Sequence, residues 1–324
     1  AWAVGGRTAA MRLLLPFAVV AAALFALNLG VGGEAVWSTT GGGVNLWIGN
    51  NPTSDGVNPF FGPDQHAVDA AVRAEATTAA AADRAFTRRA LAFWATQPGA
   101  ALELAAKKLL WTFSAFELSN DVAIDWKQAH SPVFALTGLP LGFAIVLVFA
   151  FVYGALVWLA PPPHARDLLV LAAPAVLGIA TCVLFFTNAR FRLPLALALL
   201  VLAGLGIAAI LDHVRRGSVD VRRAASASLA ATLAVILAYG NWFEVRDYRI
   251  PQLDVNAGAM EREARNFDSA ILFLRSGLGR EPRDPIGWVH LALALEQAGH
   301  VDAAREAYES GLGFVPGDPQ ITEM

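Results

Sequence analysis

The sequence predicts an all-α fold: a multi-pass transmembrane helix bundle over residues 1–243 whose large outer loop contains amphipathic helices, then a C-terminal helical domain over 244–324. Three observations lead there. Hydrophobic residues make up 56% of the 324-residue chain and charged residues 16%, against roughly 45–50% and about 25% in an ordinary soluble domain. The apolar residues gather in five uncharged blocks. After the last block, charges return and apolar positions fall at helical spacing.

The five blocks lie at about 13–29, 138–160, 168–186, 193–211 and 227–243. Each runs for about 17–23 residues, enough to cross roughly 30 Å of hydrocarbon at about 1.5 Å per residue. Lipid offers no hydrogen-bond partners, so Pro174 and Gly178 within the third block call for a neighbouring helix and favour a packed bundle. The first block, preceded by Met11-Arg12, also reads as a secretory signal. The sequence opens at Ala1, which leads us to expect a fragment or a processed chain. With 24 basic and 27 acidic residues the net charge is -3, a balance that argues against nucleic acid as a partner. The single cysteine, Cys182, leaves no intrachain disulfide and no thiolate cluster.

Arginine placement orients the bundle, because short cytoplasmic loops accumulate Arg and Lys. Arg215, Arg216, Arg222 and Arg223 mark the loop 212–225 as cytoplasmic, and Arg7, Arg12 and Arg166 fall on the same side. The loop 30–133 and the tail then lie outside. One short outer junction breaks the rule: Thr187-Asn188-Ala189-Arg190-Phe191-Arg192. Its two arginines either snorkel to headgroups or form an anion site for a lipid-borne phosphate, a group that guanidinium binds as a fork.

The outer loop is too long for a plain connector. Its opening, Gly41-Gly42-Gly43-Val44-Asn45-Leu46-Trp47-Ile48-Gly49-Asn50-Asn51-Pro52, places glycines and asparagines around a short apolar, strand-like segment suited to tight turns and close backbone approach. A turn that merely closes the loop fits as well. An alanine-rich helix is expected over 67–95. After Pro98 a second helix carries Leu102, Leu109, Leu110, Phe113 and Phe116, interrupted by Lys107-Lys108. It suits either the headgroup region or packing on the bundle, and Lys107 is a candidate phosphate contact. Glu117, Asp121 and Asp125 are spaced by four, but Ser119-Asn120-Asp121 reads as a turn, so we take them as a solvated edge and assign them no catalysis. No His, Asp or Glu grouping has metal-ligand spacing; no cofactor is identified, and a divalent-metal requirement stays open.

From 244 to 324 there are 14 acidic residues, 8 arginines and no lysine. Trp288-x2-Leu291-Ala292-x2-Leu295, Gly299, Ala304-x3-Tyr308 and Pro316 resemble the 34-residue tetratricopeptide pattern. Ala270, Leu274 and Pro282 stand 34 residues before Ala304, Tyr308 and Pro316. This amounts to one good repeat and one partial repeat whose first helix is poorly matched. Such repeats bury their apolar faces by stacking, so Trp288, Leu291, Ala304, Tyr308 and Pro316 are read as packing residues, and the tail is expected to lean on the membrane domain or on a protein partner.

The outer Gly-Asn loop, the helix after Pro98, the Asn-Ala-Arg-Phe-Arg-Leu-Pro junction and the repeat tail together resemble the C-terminal half of bacterial membrane glycosyltransferases. The group is that of the protein mannosyltransferases and aminoarabinose transferases, the GT-C fold class, and the resemblance covers about residues 41–211. It implies a polyprenyl-phosphate-linked sugar donor, a lipid, protein or glycan acceptor, inversion at the anomeric carbon, and an enzyme of the bacterial inner membrane acting on the periplasmic face. Arg190 and Arg192 match the family's Arg-aromatic-Arg before Pro194 and would contact the donor phosphate. Asn45, Gly49, Asn50 and Asn51 match the glycine-asparagine loop and would act by positioning. The family's acidic pair, carried in a first outer loop, has no counterpart here, so the chain is expected to be the C-terminal portion of a longer enzyme with its catalytic residues unassigned. Two other readings are an O-antigen ligase or polymerase relative and a non-catalytic, membrane-anchored tetratricopeptide scaffold.

Overall fold

The computed structural model describes residues 2–36, 39–58, 63–119, 121–122, 124–133, 142–161, 167–217 and 220–315. Among them there are fourteen α-helices, one 3-10 turn and no strand. The chain forms two compact units: Ala1–Pro59 with Ala67–Phe116 and Pro140–Val245, and Phe60–His66 with Glu117–Leu139 and Arg246–Met324. The expected boundary at 243/244 falls two residues early. The expected outer loop is also divided, because its 117–133 stretch packs with the C-terminal helices.

In the first unit α1 is Trp2–Gly32, α2 Gly42–Gly49, α3 Pro63–Glu75, which runs in from the neighbouring stretch, α4 Ala79–Thr96 and α5 Pro98–Thr112. Two expectations are corrected here. The segment 44–48 is helical, not strand-like. A strand needs a ladder partner, whereas the first turn of α2 finds a cap in the Asp83 carboxylate, which accepts from the Gly43 N–H at 2.7 Å. The single helix expected over 67–95 is two, because Thr78 is extended and its hydroxyl caps the Ala81 N–H at 3.1 Å.

Among the described residues, three helices are long and apolar enough to cross a membrane, by length and composition: 14–31 within α1, α9 (Leu193–Arg216) and α10 (Val221–Tyr239). They suggest a membrane protein. The other two expected spans give shorter apolar helices, α7 (Phe143–Leu159, 17 residues) and α8 (Leu169–Leu184, 16 residues); residues 138–141 lie outside the described set. The helix expected at 193–211 continues to Arg216, where His213, Arg215 and Arg216 suit the negative end of the dipole, and Gly217 ends it in the left-handed conformation at φ 67°. The helix expected at 227–243 is shifted toward the N-terminus. Asp220 caps the Arg222 and Arg223 N–H groups, and the chain leaves the helix at Gly240 for a 3-10 turn, Trp242–Glu244.

The core of this unit is small-sided: Ala144, Leu147 and Ala150 of α7 meet Leu195 and Leu199 of α9 and Ala234 and Ala238 of α10. Close approach is the reason. A Cβ on Gly206 of α9 would lie 2.3 Å from the Phe149 carbonyl oxygen of α7, so the backbones touch as small residues permit in membrane bundles. Gly206→Val is expected to push α9 off α7 and destabilise the bundle by about 1–3 kcal/mol, read as a lowered thermal transition in detergent. α5 and the turn after it bond to the end of α10 and the 3-10 turn: Trp111 Nε1 donates to the Trp242 carbonyl at 2.6 Å, and the Ala115 N–H to the Ala238 carbonyl at 2.8 Å.

The second unit contains α6 (Ile124–His130) and four helices in sequence: α11 Pro251–Glu263, α12 Phe267–Arg280, α13 Pro285–Gln297 and α14 Val301–Phe314. Each bound of α11 and α12 recurs 34 residues later in α13 and α14. The ends agree in detail. Asn266 N–H bonds back to the Glu261 carbonyl and His300 N–H to the Leu295 carbonyl, both at 2.8 Å, with Arg265 (φ 62°) and Gly299 (φ 86°) in the left-handed conformation that closes such ends. The first helix of the earlier copy, poorly matched in sequence, is therefore present at full length. Val255, Ala270, Leu274, Leu291, Leu295, Ala304 and Ala307 form one core, with Trp288 and Tyr308 packed against it. Pro316 lies outside the described residues.

Candidate functional site

The junction between α8 and α9 is where sequence-predicted residues converge, and its bracing begins in α5. Ala101, Leu104, Lys108, Trp111 and Thr112 form that helix's buried face. The spacing places a lysine on an apolar stripe. Lys108 is fully buried, and its ammonium spends all three N–H donors on protein: Gly49 O at 3.0 Å, Asn50 Oδ1 at 3.0 Å and Phe185 O at 3.1 Å. Burial pushes its pKa down from 10.5 to about 7.

Asn50, at the end of α2, is also fully buried and uses its whole hydrogen-bonding capacity. Its Nδ2 donates to Leu46 O at 2.8 Å and Leu184 O at 2.6 Å. Its Oδ1 accepts from Trp94 Nε1 at 3.1 Å as well as from Lys108. Gly49 is required beside it, because a Cβ there would sit 1.7 Å from the Phe185 carbonyl oxygen. Asn51 is buried, folding the following turn by donating to Trp47 O at 2.8 Å and accepting from Thr53 N and Oγ1, both at 2.9 Å. Asn45 is more peripheral, its Nδ2 bonding Gly41 O at 2.9 Å.

These residues hold the Phe185–Arg192 turn from outside, and the turn's own residues hold it from within. Thr187 N–H donates to Gly56 O at 2.8 Å and its hydroxyl to Lys108 O at 3.0 Å. Asn188 Oδ1 accepts the Phe191 N–H at 2.9 Å, while its Nδ2 is buried with no partner among the described residues. Arg192 is 4% exposed; it donates to Ser114 O at 2.6 Å and lies over the Phe143 ring at 5.0 Å. Arg190, two residues away, is exposed over the Phe191 ring at 5.5 Å.

Of the three residues expected to touch the donor phosphate, Arg190 therefore presents its guanidinium outward and Arg192 faces inward. Lys107 lies over the Trp111 ring at 4.5 Å, its pKa lowered by burial against the pull of Asp55 and Glu103. The lysine that joins the glycine-asparagine loop to the arginine turn is Lys108. Sequence reasoning missed it together with Ser114, Trp94 and Thr187. A usable signal existed, since Lys108 stands at the centre of the face made by Ala101, Leu104, Trp111 and Thr112, whereas Lys107, three after Leu104 and four before Trp111, stands at its edge.

In the other unit, Asp121 pairs with Lys127 at 2.7 Å and Glu117 is exposed; the side chain of Asp125 lies outside the described residues. Among the described residues no cluster of three or more His, Cys, Asp or Glu could hold a metal ion. A groove of about 530 Å³ opens between α12, α13 and α14, lined by Leu278, Trp288, Leu295, Ala307 and Phe314, where Trp288 and Phe314 stack at 5.8 Å. No family model, curated protein or solved structure matches this chain.

Proposed function

We propose that the chain is the C-terminal portion of a polyprenyl-phosphate-sugar-dependent membrane glycosyltransferase of the GT-C class, with several passes through the bacterial inner membrane and with the outer loop and repeat tail in the periplasm. One observation carries the proposal: Arg190 stands exposed on a turn whose other polar residues, Thr187, Asn188 and Arg192, are buried and bonded in order to the Lys108 carbonyl, the Phe191 N–H and the Ser114 carbonyl. A cation fixed in that way keeps its geometry without paying to order a mobile loop. It lies at the head of an apolar helix, where the phosphate of a lipid-linked donor would arrive. Arg192 and Lys108 then serve as positioning residues, and Asn188 Nδ2 is a spare donor in the same turn. The 34-residue recurrence of helix bounds supports reading the tail as tetratricopeptide-like.

Arg190→Ala in the full-length enzyme is expected to lower glycan transfer about tenfold or more, as loss of one charge-assisted contact of about 1.5–3 kcal/mol implies, with thermal stability unchanged. Wild-type transfer would reject the phosphate role. Arg190→Cys and Arg215→Cys, both at exposed positions, should react with an impermeant thiol reagent from opposite sides of the membrane, and labelling from one side would reject the topology. The groove on the tail favours a second reading, a membrane-anchored scaffold, which predicts full activity of the assembly when Arg190 is removed.

A further inference from the structure

α10 presents two faces. Ala230, Ala234 and Ala238 are buried in the bundle, whereas Leu229, Leu233 and Ile236, at i, i+4 and i+7, are exposed. In a helix that spans a bilayer the second face meets hydrocarbon. The apolar surface does not stop where the helix does. Tyr239, Trp242 and Phe243 are exposed at its C-terminal end and beyond it. Exposed Glu244, Arg246 and Asp247 follow at once, so greasy surface gives way to charge within three residues.

The backbone takes a strained route at that border. The Val245 N–H bonds back to the Trp242 carbonyl at 3.2 Å, closing a turn whose two central residues, Phe243 at φ 50° and Glu244 at φ 59°, are both left-handed. Turns of that hand ordinarily take Asn-Gly, and a bulky side chain at positive φ is unfavourable. Protein contacts hold the ends of the turn. Trp111 Nε1 donates to the Trp242 carbonyl at 2.6 Å, Trp242 Nε1 donates to the Leu237 carbonyl at 3.3 Å, and Val245 is buried. They leave the Phe243 side chain 42% exposed. An Asn-Gly pair would make the same turn without strain, so the benefit of a phenylalanine there has to come from what its exposed ring meets.

We propose that Tyr239, Trp242 and Phe243 form an anchor that seats the C-terminal end of α10 at the boundary between lipid headgroups and acyl chains, the turn giving Phe243 to lipid and Glu244 to water. The inference rests on reading α10 as a membrane span. Lipid is the occupant because the patch continues the span's exposed stripe without a break and ends at charged residues. Its composition fits that depth, where rings with an apolar body and a polar edge, Tyr and Trp, collect. The anchor fixes how deep α10 sits, and through Trp111 it ties α5 to the same level.

The test places nitroxide labels one at a time on Leu233→Cys, Phe243→Cys and Glu244→Cys in the full chain, in vesicles of phosphatidylethanolamine and phosphatidylglycerol. Cys182 is buried and does not compete for label. Collision of each label with oxygen, which concentrates in the bilayer, is compared with collision with a water-soluble nickel chelate. Labels at 233 and 243 should favour oxygen, with 243 the shallower, and the label at 244 should favour nickel. A nickel-favoured label at 243 beside an oxygen-favoured one at 233 would overturn the anchor and leave α10 a span; nickel-favoured labels at both would overturn the span and the anchor together. Trp242→Phe needs no label and gives an independent reading. The tryptophan emission it removes should be quenched several-fold more by lipids brominated near the headgroup than by lipids brominated near the chain end. Emission that neither lipid quenches would overturn the anchor.

Discussion

Lys108→Met is expected to destabilise the detergent-solubilised protein by about 2 kcal/mol or more, because it leaves two buried carbonyls, those of Gly49 and Phe185, without a donor at about 1–3 kcal/mol each. Methionine keeps the length and the apolar stem, so the loss isolates the ammonium from the packing. The pH dependence should change with it. Burial holds Lys108 at about 7 in the folded protein against 10.5 for the free side chain. Between those values the unfolded chain binds more protons, so wild-type stability rises with pH across that window. The methionine variant should lack this rise. Thermal melts at a series of pH values read both effects, and an unchanged transition with the same pH slope would show that the three contacts carry no weight.

Gly49→Ala should be comparably severe, although it adds a single methyl group. The added carbon would lie 1.7 Å from the Phe185 carbonyl oxygen and 2.4 Å from its carbonyl carbon. No rotamer change relieves a clash with backbone, so α2 must withdraw from the turn or the turn must move. Either motion breaks the Lys108 bonds to Gly49 and Phe185 and the Asn50 bond to Leu184. An overpacking cost of about 1–3 kcal/mol then adds to the lost hydrogen bonds. Gly99→Ala, where a Cβ meets nothing within 4 Å, is the control and should melt like wild type. Equal melting of the Gly49 and Gly99 variants would show that the close approach is not maintained in solution.

The helical class of the described residues was readable because five long apolar blocks leave little room for another structure, and Pro98 and Pro194 mark the starts of α5 and α9 where helices tolerate proline. The 34-residue register was readable from Ala270, Leu274 and Pro282, yet the helix before them was not, because Glu261 occupies a packing position and Arg265 stands where the second copy has glycine. The Gly-Asn loop was singled out for close approach, which Gly49 and Asn50 make, but its helix was hidden: eight residues with three glycines and a β-branched pair carry almost no periodicity, and the capping Asp83 lies 40 positions away. The choice between Lys107 and Lys108 turned on helical phase, which shifts by about 100° per residue. The left-handed pair Phe243-Glu244 holds neither Asn nor Gly, so no local pattern announces that turn.

The long helix α1 differs from its neighbours in one respect. In its window of 14–31 no residue is buried, against 28% in α9. None of those side chains is buried against the rest of the described chain, so most exchanges among leucine, valine and alanine there alter only the average oiliness. In α9 the same exchanges would rewrite a fitted seam. Mutational drift should therefore accumulate unevenly, fast and silent along the first helix, and slow wherever Gly206 keeps two backbones in touch.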